Sequence, residues 1–130
     1  MKKIALITLV FTSFGLASNN LFATEASDTL IKEYQTEGAK DFSEKAGKTL
    51  WETKVEDRSC TSCHTMSVKN TGKHKRTGKE IKPMAPSVNP ERLSEVKKIR
   101  KWLLRNCKGT FKRECTPQEK GDILTWLSKQ

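Results

Sequence analysis

Residues 60–64 read Cys60-Thr61-Ser62-Cys63-His64 and match the pattern C-x-x-C-H. Two thiols at this spacing can add to the two vinyl groups on one side of a porphyrin, and the imidazole that follows can then reach the iron from one face. A zinc site would need a second ligand pair at a similar spacing, which the sequence lacks. The pattern therefore predicts one covalent haem c, attached through Cys60 and Cys63, with His64 as the proximal iron ligand.

A helix is predicted directly before this site. Phe42, Ala46 and Leu50 recur every four residues, so the helix should start at Asp41 or Ser43. Its segment Gly47-Lys48-Thr49-Leu50-Trp51 resembles the Gly-x-x-Leu-aromatic motif of class I cytochromes c. Glycine costs about 1 kcal/mol inside a helix, so an ordinary apolar face does not explain it. The resemblance implies that the C-terminal helix crosses closely here, through the region Leu124 to Leu127.

Three more helices are indicated by apolar periodicity and by capping residues. Ser27-Asp28 begins a short first helix, preceded by a loose tail over residues 24–27. Asn89-Pro90 opens a third helix, which ends at Arg105-Asn106-Cys107. A capping box from Thr116 to Glu119 opens the last helix.

The stretch from Arg58 to Asn89 has little periodicity and is interrupted by glycine and proline, which predicts a long loop. Only 35% of the residues are hydrophobic, so the helices alone offer a thin core that a buried cofactor would fill. We therefore expect an all-α, class I cytochrome c-like fold. It should have about four helices around one haem and a long loop between the haem motif and the third helix.

The N-terminus has the features of a secretory signal peptide. A charged start, Met1-Lys2-Lys3, precedes an apolar run from Ile4 to Leu16 that is too short to span a bilayer. We predict a signal peptide over residues 1–23 and a cytochrome c domain over residues 24–130, with cleavage after Ala17 as the alternative. The mature protein should be periplasmic and should not span the membrane.

The net charge is +10, and it falls to +8 if the signal peptide and its two lysines are removed. Basic residues concentrate in residues 69–82 and 97–113. An exported protein rarely meets nucleic acid, so we expect these stretches to steer an acidic redox partner. The alternative interpretation is that they are ordinary solvated helix and loop faces.

Two cysteines, Cys107 and Cys115, remain after the haem motif has taken its pair. In an oxidising compartment, two leftover thiols in a small domain predict a disulfide. The bridge would close a short loop between the third and fourth helices and contribute about 2–3 kcal/mol.

The second axial ligand has more than one candidate. Met84 lies in the stiff segment Lys82-Pro83-Met84-Ala85-Pro86, and its thioether would make an ordinary electron carrier of raised potential. His74 would give bis-imidazole ligation and a lower potential, but its lysine-rich surroundings favour a solvated loop residue.

Several segments taken together resemble the sphaeroides haem protein family. They are Arg76–Ile81, Pro83–Ser87, Lys101–Cys107 and Cys115–Pro117. The resemblance implies a class I-like fold in which an asparagine side chain is the second axial ligand, beside a disulfide. It assigns Asn106 as the distal ligand and Cys107–Cys115 as the disulfide, with Met84 as the alternative ligand. A helix C-terminal cap is the ordinary structural explanation of an asparagine at this position.

The resemblance also implies a function. An amide is a weak, easily displaced iron ligand, so the reduced haem could bind oxygen, nitric oxide or carbon monoxide when Asn106 leaves. Electrons would come from a dihaem or multihaem cytochrome c linked to a membrane cytochrome b. A plain electron carrier with Met84 as ligand is the alternative. We do not expect an enzyme, because no nucleophile and base stand out and the cysteines lack a thioredoxin-like βαβ context.

Overall fold

The computed structural model describes residues 21–130, with side chains described from Glu25 onward. In this range the chain forms α1 (Leu21–Thr36), α2 (Glu44–Glu52), α3 (Thr61–His64), β1 (Gly72–Lys73), β2 (Glu80–Ile81), α4 (Val96–Phe111) and α5 (Pro117–Leu127). The predicted signal peptide lies outside the described residues, apart from its last three positions in the first turn of α1. None of the helices in residues 21–130 is long and apolar enough to cross a membrane.

Helix α2 begins where one of the two predicted starts lies. The Ser43 hydroxyl accepts a hydrogen bond of 3.2 Å from the N–H of Ala46, and the Asp122 carboxylate of α5 accepts one of 2.7 Å from the N–H of Ser43. The start of α2 is therefore fixed both by its own cap and by α5.

Helices α2 and α5 cross in close backbone contact. A Cβ added at Gly47 would lie 2.1 Å from the carbonyl oxygen of Asp122, so only glycine fits. Gly121 of α5 likewise lies against the Phe42 ring. The predicted role of Gly47 is confirmed, but the crossing lies at Gly121–Ile123, about one turn before the region Leu124–Leu127 that we expected. The backbone of Gly47 meets the backbone of Asp122 and Ile123, whereas Trp126 and Leu127 place their side chains in the core.

Helix α1 starts earlier than predicted. Ala26 and Ser27 are buried, and Ala26 joins Leu30, Tyr34, Ile99 and Leu124 in a core cluster formed by α1, α4 and α5. The expectation of a loose tail over residues 24–27 is wrong, because burial against α4 and α5 keeps this segment helical.

Both predicted ends of α4 are wrong. Asn89 does not cap a helix, because its side chain donates to the carbonyl of Pro83 (2.9 Å), and α4 begins only at Val96. At the other end the helix continues past Cys107 to Phe111, since both residues are buried on its inner face, and Lys112 follows in the left-handed conformation at φ 60°. Asn106 is therefore an interior helical residue and not the C-terminal cap.

The segment between α3 and α4 is the predicted long loop with one short hairpin. Strands β1 and β2 are antiparallel and pair Gly72 with Ile81. The loop then returns to the core, where the N–H groups of Met84 and Ala85 donate to the Val68 carbonyl at 2.8 and 2.9 Å. The described residues thus form an all-α fold apart from this hairpin, as predicted.

Candidate haem site

The two cysteines and the histidine of the C-x-x-C-H motif lie at the N-cap of α3 and within the helix. Cys60 precedes the first turn of the helix, and its carbonyl accepts hydrogen bonds from the N–H groups of Cys63 (3.3 Å) and His64 (3.1 Å). Thr65 then ends the helix with a left-handed φ of 62°. Both thiols are half-buried and not disulfide-bonded, so the motif presents two free thiols followed directly by an imidazole.

His64 has an apolar environment. Its ring centroid lies 5.2 Å from that of Trp51, which in turn lies 5.5 Å from that of Trp126. Burial and the positive charge of Arg92 lower the pKa of His64 to about 4, so its imidazole is neutral at physiological pH. A neutral imidazole is the form that binds a metal. Its ring makes no hydrogen bond to any residue from 25 to 130, which leaves its nitrogens available.

The donor set fits haem better than a metal ion held by side chains alone. Among residues 25–130 there is no group of three or more His, Cys, Asp or Glu side chains that could hold a metal ion. One imidazole is enough for an iron that brings four porphyrin nitrogens of its own. Burial raises the pKa of Cys60 to about 12, so this thiol is neutral and differs from the reactive thiolates of thiol-redox enzymes.

Residues 69–82, which contain the hairpin of β1 and β2 and are called the basic hairpin below, pack directly against α3. A Cβ at Gly72 would lie 2.1 Å from the carbonyl oxygen of Cys63, and the N–H of Lys75 donates to the Cys63 sulfur at 3.4 Å. The Lys75 side chain also pairs with Asp57 at 2.8 Å. The hairpin is thereby fixed beside one of the two attachment thiols.

Helix α4 borders the site from another direction. Cys60 packs against the cluster formed by Cys107, Phe111 and Cys115, and Cys60 and Leu103 both pack against the cluster that contains Trp51. The disulfide between Cys107 and Cys115 is present, with a Cα–Cα distance of 5.6 Å, which confirms that prediction.

Asn106 stands next to this disulfide on the exposed side of α4. Its amide makes no hydrogen bond to another side chain or to the backbone within residues 25–130. Because it lies inside the helix, the explanation as a C-terminal cap does not hold. Asparagine is a poor residue for a helix interior, so nothing in the local structure accounts for it.

The other two candidate ligands lie in different surroundings. Met84 is half-buried and packs against the cluster that contains Trp51 and Trp126. His74 lies in the hairpin, where its Nδ1 accepts a hydrogen bond of 3.2 Å from the N–H of Thr77. Met84 is therefore a packing residue in this structure, and His74 is a turn residue.

Arg92 belongs to the site but was not predicted. This half-buried side chain donates from Nε to the carbonyl of Pro83 (2.9 Å) and from Nη2 to that of Lys82 (2.8 Å). Its charge also lies close enough to lower the pKa of His64. The sequence carries no signal for this role, because the contacts depend on how the loop folds back.

Residues 37–127 match a family described as a domain of unknown function, DUF1924. The chain is 48% identical over 77 residues to the cytochrome c-type protein SHP of Cereibacter sphaeroides, covering 59% of each chain. It is 37% identical over 71 residues to cytochrome c'' of Methylophilus methylotrophus, covering 55% of this chain and 49% of that protein. The matches thus span 49–59% of the length of these relatives.

Solved structures match over more of the chain. Oxidised SHP, described as an oxygen-binding cytochrome c, is 38% identical with a TM-score of 0.73, covering 80% of this chain and 96% of that one. Oxidised cytochrome c'' from Methylophilus methylotrophus is 28% identical with a TM-score of 0.70, covering 82% and 96%. A solution structure of the same cytochrome, described with reference to haem-ligand detachment, is 27% identical with a TM-score of 0.72, covering 82% and 95%. The predicted class I-like fold is confirmed.

Proposed function

This chain belongs to the family of the sphaeroides haem protein, c-type cytochromes with one covalently bound haem, and from that premise we propose a function for it. It is a periplasmic electron-transfer protein that binds a small diatomic ligand at the reduced haem when Asn106 is displaced. One observation carries the proposal: Asn106 lies inside α4, exposed and without a hydrogen-bond partner in the described residues, next to the buried Cys107.

Three residues of α3 and its start would hold the cofactor. Cys60 and Cys63 supply the thioether bonds, and His64 supplies the proximal nitrogen from its apolar position beside Trp51. Haem c supplies an iron that changes between ferric and ferrous states and takes up diatomic ligands when ferrous.

The Asn106 side chain is suited to be a displaceable iron ligand. The backbone on either side of it is held by the helix, and the adjacent Cys107 is fixed by the disulfide to Cys115. The side chain can therefore change rotamer without moving α4. An amide oxygen binds ferrous iron weakly, so its release needs little energy.

The relatives support this proposal. One solved relative is described as an oxygen-binding cytochrome c, and the structure of another is described in terms of haem-ligand detachment. A cytochrome that binds oxygen needs a coordination position that a side chain does not hold permanently. A displaceable residue at position 106 would supply that position in this chain.

A plain electron carrier with Met84 as second ligand is the alternative, favoured by the half-buried position of Met84 in the loop from Lys82 to Pro86. A carbon monoxide titration of the reduced protein distinguishes the two. With Asn106 as ligand, we expect binding in the wild-type protein, an altered ferric spectrum in Asn106→Ala and an unchanged one in Met84→Leu. If Met84→Leu alone abolishes the native ferric spectrum and carbon monoxide does not bind, the protein is a plain carrier.

We also propose that an acidic partner, a dihaem or multihaem cytochrome c fed by a membrane cytochrome b, docks at the basic hairpin. Residues 69–82 contain six basic residues and one acidic residue. Lys75 is the one basic residue of this stretch for which the described residues contain an ion pair. In residues 97–113, by contrast, five basic side chains pair with carboxylates: Lys98, Arg100, Lys108, Lys112 and Arg113. The hairpin therefore carries more uncompensated charge, and it contacts Cys63.

A further inference from the structure

Trp102 is a large aromatic residue on the surface of α4. It is 48% exposed, whereas Ile99, one turn before it, is buried. Because Trp102 precedes Asn106 by four residues, the two side chains lie on the same side of the helix. The indole is therefore the immediate neighbour of the proposed displaceable ligand.

Two cationic side chains lie over the indole ring of Trp102. The Lys101 Nζ lies 5.7 Å and the Arg105 Cζ lies 5.2 Å from the centroid of the Trp102 ring. Both distances fall within the range of cation–π attraction. These contacts favour the orientation in which the ring lies against the two cations.

The packing of Cys60, one of the two attachment thiols, indicates which face of α4 the cofactor would cover. Cys60 packs against the cluster that contains Cys107, and Cys60 and Leu103 pack against a common core cluster. A haem attached at Cys60 would therefore border the segment of α4 that runs from Leu103 to Cys107. A helix turns by about 100° per residue. Seen along the axis, Asn106 and Trp102 therefore lie to one side of Leu103, and Leu104 lies to its other side.

We infer that Trp102 forms a wall of the pocket that opens when Asn106 moves, and that it admits diatomic ligands while it excludes larger ones. The inference rests on the proposed function, because it assumes that Asn106 vacates a coordination position. It assigns Trp102 as a residue that determines ligand size.

The test compares two probes of different size. Carbon monoxide and n-butyl isocyanide are mixed with the reduced holoprotein, and both association rates are measured in wild type, Trp102→Ala and Trp102→Phe. Removal of the indole should raise the isocyanide rate about tenfold or more and the carbon monoxide rate much less, because a pocket wall discriminates by size. Trp102→Phe should fall between wild type and Trp102→Ala.

Leu104→Ala provides the matched control, since Leu104 is an exposed apolar residue (38%) of the same helix on the other flank. It should change neither rate. If Trp102→Ala behaves like Leu104→Ala while the wild type binds carbon monoxide, the inference is wrong and the proposed function stands. If the reduced wild type binds no carbon monoxide, the proposed function is wrong, and the inference about Trp102 is wrong as well.

A second measurement reports the position of the ring directly. In the reduced, carbon monoxide-saturated protein, the porphyrin ring current should shift the indole N–H resonance of Trp102, assigned through its loss in Trp102→Phe. A resonance at the position of a solvent-exposed indole would overturn the inference. So would variants that keep both ligand rates but bind the electron donor more weakly, because Trp102 would then be a partner contact.

Discussion

The backbone of Gly47 in α2 lies directly on the carbonyl of Asp122 in α5, so close that an added Cβ would come within 2.1 Å of that oxygen. The Asp122 carboxylate also accepts a hydrogen bond from the N–H of Ser43 at the start of α2. One residue of α5 thus sets both the crossing point and the beginning of the helix that leads to the haem motif.

We expect Gly47→Ala to destabilise the holoprotein by about 1–3 kcal/mol, because the methyl group forces the two backbones apart. Urea denaturation followed by haem absorbance and by circular dichroism measures the change. The matched control is Gly109→Ala in α4, where an added Cβ meets nothing within 4 Å. There the substitution should stabilise the protein by about 0.5–1 kcal/mol, because alanine is the better helix former. Equal effects at the two glycines would contradict the close crossing.

The capping box of α5 makes a prediction about acid stability. Glu119 accepts hydrogen bonds from the N–H of Thr116 (2.8 Å) and from Arg113, and the bond from Arg113 is the main reason that the pKa of Glu119 is lowered. A carboxyl group with a lowered folded-state pKa contributes stability above its unfolded pKa and loses that contribution as the pH falls through the folded value. Glu119→Ala should therefore cost about 1 kcal/mol at neutral pH and less in acid.

Glu114→Ala is the control for this effect. Glu114 is exposed and pairs with Lys108 at 3.0 Å, which is an ordinary surface ion pair. Its loss should have little effect on stability at either pH, because solvent screens such pairs. Thermal unfolding of both variants at neutral and acid pH measures the difference, and equal losses would show that the capping box adds nothing.

The disulfide, which joins α4 to the segment before α5, should raise the free energy of unfolding. We expect that alkylation of the unreduced holoprotein, followed by mass spectrometry, labels neither Cys107 nor Cys115. The double substitution to serine should lower the free energy of unfolding by about 2–3 kcal/mol, because the short closed loop is then free in the unfolded chain. Uptake of two alkyl groups by the native protein would show that the bridge is absent in solution.

Docking of the electron donor should depend on salt and on the hairpin. Long-range steering acts over about 8 Å at physiological ionic strength, so association should slow as salt is added. Lys79→Ala should lower the association rate at low salt. Lys108→Ala should change it less, because Glu114 already compensates that charge. Association rates are measured by stopped flow. If they depend on neither salt nor Lys79, the basic hairpin is not the docking site and its charges serve only solubility.

Local patterns predicted most of the fold and of the site. The C-x-x-C-H spacing, the Ser43 cap and the Thr116 capping box all act within a few residues, so the sequence alone identifies them. The contact of Gly47 with α5 is long-range, and it was expected because the segment resembles a known motif. The disulfide was predictable because two cysteines were left over.

The errors concern contacts between segments distant in sequence. Asn89 has the sequence features of a helix cap, but its amide bonds the Pro83 carbonyl in the folded loop. Asn106 has the features of a helix end, but the burial of Phe111 extends α4 by another turn. The proximity of Arg92 to His64 follows from the path of the loop. Tertiary packing determines each of these features, and no local pattern encodes it.

The burial of Cys60 has a consequence for biogenesis. This thiol packs against the cluster that contains the Cys107–Cys115 bridge, and a thiolate so placed would attack the bridge and scramble the pairing. Because burial raises its pKa to about 12, this thiol stays protonated at neutral pH, and before a thioether forms it is a weak nucleophile toward the neighbouring bridge.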